Sequence, residues 1–63
     1  MYNLIGRQVT ITDKDSWARG EWGIIKYIDN DDYYIAIAND SDSTLVFKRN
    51  EFRVHKINTW HLL

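Results

Sequence analysis

The sequence predicts an all-β fold: five short strands forming one small, strongly bent sheet that closes on itself as a barrel. Three observations carry this expectation. Apolar residues fall in short alternating, β-branched or aromatic runs. Polar clusters of Asp, Asn and Ser separate those runs, with turn signals every eight to twelve residues. Finally, Gly20-Glu21-Trp22-Gly23 sets two glycines three apart at the head of the run Ile24-Ile25-Lys26-Tyr27-Ile28. Glycine permits positive φ and close backbone approach, so this spacing predicts a tight corner leading into a strand.

Each element follows from its own residues. Residues 7–12 alternate polar and apolar, which predicts a half-buried first strand with Val9 and Ile11 inward. Ile5 is expected to join the core just ahead of it, with Gly6 as a bend. Residues 13–21 have no periodicity and read as a loop, longer than a usual hairpin connection, with Trp17 in its middle. Loops of that length in compact domains often carry function.

Residues 22–28 form the second strand. Ile25 and Ile28 are three apart rather than two, so a β-bulge near Lys26 or Tyr27 is expected to let both face inward and to sharpen the bend. Asp29-Asn30-Asp31-Asp32 is a turn, because Asn and Asp tolerate the left-handed region and bond their own backbone. In the third strand, residues 33–38, Tyr33, Ile35 and Ile37 make the heavy face. Tyr34, Ala36 and Ala38 make the light one, where small residues leave room for a neighbour.

A second polar turn over residues 39–43 leads to a fourth strand over 44–48. Arg49-Asn50-Glu51 then form a short 3₁₀ turn. The fifth strand runs over 52–56 with Phe52 and Val54 inward. The tail keeps Ile57, Trp60, Leu62 and Leu63 and must dock somewhere or form a sticky end. The whole reads as one domain over residues 1–63, with its core at about 5–57 and an apolar tail at 58–63.

Composition narrows the classes. A 63-residue chain buries only about 60% of its unfolded surface, so stability is expected to be marginal. Nine aromatic residues offset this, since each buries a large area. No cysteine is present, so neither disulfides nor a cysteine-based zinc site can form, and two histidines make a poor metal set. No apolar run approaches the ~20 residues of a membrane span. The first residues lack the basic and apolar regions of a signal peptide, so a cytoplasmic setting and no membrane partner are expected.

The net charge of −1 leaves no overall basic footprint for nucleic acid. Its distribution is uneven: +1 over residues 1–28, −5 over 29–47 and +3 over 48–63. Turns attract Asp and strands attract Lys and Arg, which explains the pattern without function; the sharper reading is a dipolar surface with one basic edge.

The frame Gly6-Arg7-Gln8-Val9-Thr10-Ile11, then Gly20-Glu21-Trp22-Gly23-Ile24-Ile25, then Tyr34-Ile35-Ala36-Ile37, then Asn50-Glu51-Phe52-Arg53-Val54, resembles the small SH3-like barrels, particularly those with a KOW-like strand-and-glycine pattern. The resemblance covers roughly residues 5–57. It implies a five-stranded barrel with a short 3₁₀ turn before the last strand. Short stand-alone members of this kind are common among phage and prophage proteins of unknown role. KOW domains that bind RNA are usually basic, and this chain is not. The Ala-Leu-Tyr-Asp-Tyr and Pro-Ser-Asn-Tyr segments of SH3 domains that bind Pro-rich peptides are missing too. No binding residue therefore carries over by motif.

Among candidate chemistries, Asp40-Ser41-Asp42-Ser43-Thr44 starts like a calcium loop with Glu51 at the twelfth position. However, Leu45 stands where the turn glycine is needed, and Asp29-Asn30-Asp31-Asp32 lacks both that glycine and the final Glu. Both read as plain turns, and no metal or cofactor is expected. Ser16, Ser41 and Ser43 lie in loops away from His55 and His61, so no nucleophile–base set forms, and His55 reads as a solvated surface residue.

What remains is a non-enzymatic binding module. A protein partner ranks first, with Trp17, Trp22 and Tyr34 as aromatic anchors and Arg49 and Arg53 beside them. Trp22 also suits a core or corner position. The alternative is single-stranded nucleic acid, held by a basic edge around Arg49 and Arg53 with the same aromatics as stacking platforms. A third reading is self-association, a monomer or weak homodimer through the C-terminal tail.

Overall fold

The chain forms five antiparallel strands and one 3₁₀ turn: β1 (Gln8–Ile11), β2 (Trp22–Asp29), β3 (Asp32–Ile37), β4 (Thr44–Phe47), η1 (Arg49–Glu51) and β5 (Phe52–Val54). These come from a computed structural model that describes residues 4–40 and 43–55. The spatial order is β4-β3-β2-β1-β5, a meander whose last strand returns beside the first. All four strand pairs are antiparallel. Strands β4 and β5 are the two edges, with no ladder between them among the described residues.

The sheet is bent far from flat. Its edge strands are joined only by Lys48 and η1. Four inter-strand spacings would set the edges of a flat sheet about 19 Å apart. Two extended steps and three 3₁₀ steps from Phe47 to Phe52 reach only about 13 Å. The edges must therefore curl toward one another. Ring packing records the result: Tyr33 on β3 meets Phe52 on β5 with centroids 5.1 Å apart, edge to face, although two strands lie between them in the sheet.

One core fills the concave side. Val9 and Ile11 from β1, Ile25 from β2, Ile35 and Ile37 from β3, Phe47 from β4 and Phe52 from β5 are all buried, together with Ala18 of the β1–β2 loop. Every strand thus contributes through its alternate positions. Leu4, Ile28, Tyr33, Leu45 and Val54 pack around this cluster.

The expected bulge is present. The β2–β3 register shifts between Ile25 and Tyr27, so that Ile25 pairs with Ile35, Tyr27 with Tyr34 and Ile28 with Tyr33. Lys26 is the extra residue. It restores the inward parity of Ile28, and a bulge of this kind bends its strand.

The two glycines of the β2 corner serve different needs. Gly20 has φ +84° in a turn closed by the Glu21 N–H donating to the Ala18 carbonyl at 2.8 Å. Gly23 is buried, and a Cβ there would collide with the Ala36 carbonyl oxygen and lie 2.8 Å from Ile35 Cγ2.

Some expectations are corrected. Ile5 does not join the core; it is 47% exposed. It stands at the corner of a turn closed by the Arg7 N–H donating to the Leu4 carbonyl at 3.0 Å, which directs Leu4 inward in its place. The first strand is shorter than the alternation suggests, because the backbone N–H groups of Thr12 and Asp13 donate instead to the Glu51 carbonyl at 3.0 and 3.1 Å. Lys48 leaves β4 to start η1: its N–H donates to Glu51 Oε1 at 2.7 Å. Strand β5 stops at Val54, and the predicted apolar tail lies outside the described residues.

Candidate functional site

The convex face of the sheet carries the opposite parity to the core, and its chemistry is uneven. On β2 and β3 it presents Trp22, Ile24, Ala36 and Ala38. Ile24 pairs with Ala36, and the Ala38 N–H donates to the Trp22 carbonyl at 2.9 Å. The alanines leave a low floor between taller neighbours. The outcome is an open groove of about 360 Å³ lined by Trp22, Ile24, Lys26, Ala36, Ile37 and Ala38. Trp22 is 44% exposed, so it is a groove wall and not the core or corner residue that its surroundings also suggested.

Apolar surface continues beyond the groove. The bulge exposes both Lys26 and Tyr27. Tyr27 is 57% exposed and packs tilted against Tyr34, with ring centroids 5.4 Å apart. Tyr34 pairs in turn with Val46 of β4, which is 50% exposed. One apolar, aromatic strip therefore crosses three strands.

The β1–β5 side of this face is polar. Thr10 pairs with Trp22 on one side and with Arg53 on the other, so Trp22 and Arg53 lie in one row across the sheet. His55 is not the freely solvated residue its sequence setting suggested. It is half-buried: its ring hydrogen-bonds Thr10 Oγ1 through Nε2, its N–H donates to the Gln8 carbonyl at 2.9 Å, and its own carbonyl accepts from Arg7 Nη2 at 2.9 Å.

The remaining predicted site residues lie elsewhere. Trp17 is 63% exposed on the β1–β2 loop. Its neighbour Ala18 is buried, with its N–H donating to Ser16 Oγ at 3.1 Å. Arg49 lies over the Phe52 ring, 5.2 Å from the centroid. Phe52 faces the core, while Arg53 takes the opposite parity, so the two arginines do not form one edge. Of the five residues, Trp22, Tyr34 and Arg53 share the convex face. Ile24, Lys26 and Tyr27, absent from the sequence-based set, complete this face; their signal in the sequence is the alternation of β2 combined with the bulge.

Among the described residues the charge blocks are not kept apart in space. The Asp29–Asp32 turn and the turn after Ile37 lie at opposite ends of β3. Lys48 of the basic segment pairs with Asp32 of the acidic one, Nζ to Oδ1 at 2.5 Å. The hydrogen bond to Asp32 and then its charge hold the Lys48 ammonium above its ordinary value. The turn that begins like a calcium loop is closed by its own side chains where it is described, with Ser43 Oγ donating to Asp40 Oδ2 at 2.7 Å. Among the described residues no helix is long and apolar enough to cross a membrane.

The fold and this face define a small all-β protein with an aromatic groove on its convex surface. Comparison with known proteins finds no matching family model and no matching curated protein.

Proposed function

We propose that this chain is a non-enzymatic protein-binding module, an SH3-like barrel in architecture, that takes its partner on the convex face around Trp22. The barrel reading is supported by the curl of the sheet, which brings the Tyr33 and Phe52 rings together. The binding reading rests on one observation: an open, largely apolar groove walled by a half-exposed tryptophan. Aromatic anchors in such settings dominate protein interfaces, and a contiguous exposed apolar patch on a small domain marks an interaction surface. A cytoplasmic setting fits a cysteine-free chain.

The test compares proteins captured by the native chain with those captured by Trp22→Ala and by Trp17→Ala. A partner lost with Trp22→Ala and retained with Trp17→Ala is the expected result. A partner held equally by all three removes the groove from the reading, and one lost only with Trp17→Ala moves the site to the loop.

One observation supports a second reading, single-stranded nucleic acid. Lys26 and Arg53 flank Trp22 on the same face. A cationic track beside a stacking platform is how small barrels hold single strands. Titration with a short mixed oligonucleotide at low and raised salt decides it. Salt-sensitive amide shifts at Lys26, Trp22 and Arg53 establish this reading, and unchanged spectra at low salt remove it.

A further inference from the structure

We propose that the chain self-associates through the outer edge of β4, antiparallel to the same strand of a second copy, with Thr44 of each chain opposite the partner's Val46. This goes beyond the binding reading of the convex groove and does not depend on it.

The backbone of β4 supplies the first observation. Ile37 donates its N–H to the Ser43 carbonyl at 3.1 Å. From that pair the β3–β4 register runs on without a shift: Ala36 with Thr44, Ile35 with Leu45, Tyr34 with Val46 and Tyr33 with Phe47. Antiparallel pairs alternate between hydrogen-bonded and non-bonded. Leu45 and Phe47 therefore turn their N–H and C=O groups toward β3, while Thr44 and Val46 turn theirs outward. Those outward groups have no partner among the described residues. Lys48, the next residue of that parity, is already engaged. Its N–H donates to Glu51 Oε1 at 2.7 Å, and its carbonyl accepts the Glu51 N–H at 3.0 Å. The open edge is thus the stretch Thr44 to Val46, ahead of η1.

The side chains supply the second. Natural edge strands are blunted by charge, proline or bulges. The other edge, β5, has the charged Arg53 at its centre. In contrast, Thr44-Leu45-Val46-Phe47 carries no charge and no proline, and its ladder has no bulge. Val46 is half exposed. An uncharged, unbroken edge of this kind is a template for another strand.

Self-complementarity selects a second copy as that strand. A twofold axis at Leu45 sets Thr44 against the partner's Val46 and Val46 against the partner's Thr44, so every outward group finds its complement. An axis at Val46 would instead set Thr44 against the partner's Lys48, whose backbone is taken. Charge favours the antiparallel direction. The turn that carries Asp40 precedes β4, and Lys48 and Arg49 follow it. Antiparallel pairing brings each basic end toward the partner's acidic turn, whereas parallel pairing sets like beside like. Apolar surface also continues across the junction. On the convex face the row Tyr27–Tyr34–Val46 runs into the partner's Thr44, Ala36 and Ile24. On the other face Leu45 meets the partner's Leu45 in the closer, non-bonded kind of pair. Two grooves then lie on one surface. A contact between two such short strands belongs to the weak, transient class, so the equilibrium is expected to fall between micromolar and millimolar concentration.

The experiment follows the full chain, isotope-labelled, by amide spectra and translational diffusion from micromolar to millimolar concentration. As concentration rises, the amides of Thr44 and Val46 are expected to shift and to gain protection from exchange, while diffusion slows toward that of a doubled mass. Nuclear Overhauser contacts between Val46 and the partner's Thr44 are expected in a mixed sample of labelled and unlabelled chains. Val46→Lys puts a charge on the edge at an exposed position. It is expected to diffuse as a monomer throughout, with the amides of Val9, Ile11 and Ile35 unmoved. Should that variant unfold, Thr44→Lys makes the same test at the other outward position. A native chain that stays monomeric at millimolar concentration overturns the proposal. So does association that leaves the Thr44 and Val46 amides in place, or that survives the lysine undiminished. None of these readouts needs an external partner or Trp22, so their failure is separate from a failure of the Trp22-dependent capture.

Discussion

Gly20 and Gly23 are three residues apart and irreplaceable for unrelated reasons, which makes them a sharp test at the scale of the residue. At Gly20 there is open space, and the constraint is φ +84° alone. An alanine there pays only the left-handed penalty, about 1 kcal/mol. At Gly23 the conformation is ordinary, and the constraint is contact: a methyl group would meet the Ala36 carbonyl oxygen, which the sheet holds in place. Backbone cannot rotate away as a flexible side chain can, so the cost belongs at the upper end of overpacking, about 3 kcal/mol. Urea denaturation of Gly20→Ala and Gly23→Ala checks this. The second variant is expected to be the less stable by a wide margin, and equal losses would contradict the account.

At the scale of the element, β2 does the most, and its single irregularity links fold to site. Lys26 is inserted between Ile25 and Tyr27 without disturbing the partners of either, since those partners, Ile35 and Tyr34, are adjacent on β3. Deleting Lys26 is therefore expected to preserve the in–out order of β2 and the Tyr27–Tyr34 pairing while straightening the strand. The Tyr33–Phe52 ring contact, which needs the bend, should weaken, and nuclear Overhauser spectra report both. Loss of the Tyr27–Tyr34 pairing would show that the bulge sets register and not curvature. This bulge was legible in the sequence because Ile25 and Ile28 break a period of two. The inward residues of β1, β2 and β5, the heavy face of β3 and the 3₁₀ turn were legible for similar reasons: alternation and turn chemistry are local signals. The position of Ile5 was not, because its direction depends on a turn that the apolar character of the residue does not reveal. The site was legible only in part. The light face of β3 announced a gap, but the exposure of Trp22 depends on what packs beside it, and the separation of Arg49 from Arg53 depends on where the Arg49 guanidinium settles, over the Phe52 ring; neither is recorded in a local pattern.

At the scale of the whole molecule, stability is concentrated where the sheet's distant strands meet, and the proposed binding face lies on the opposite side. A chain of this length has a total stability of about 3–9 kcal/mol. Phe52 is buried, packs on Tyr33 across the curl and supports the Arg49 guanidinium. Removing such a ring costs about 3–5 kcal/mol, a large part of the total or all of it. Trp17 is the larger side chain, yet it is mostly exposed, and substitutions at such positions shift stability by about 0.5 kcal/mol or less. Phe52→Ala is therefore expected to leave a large fraction of the chain unfolded at room temperature, and Trp17→Ala to denature at nearly the native midpoint. Circular dichroism melts of the two variants beside the native chain measure this directly. If Trp17→Ala proves as damaging as Phe52→Ala, the β1–β2 loop is part of the core and Trp17 cannot serve as an independent contact. If Phe52→Ala melts like the native chain, the curl is held by the backbone ladder and not by rings that meet across it.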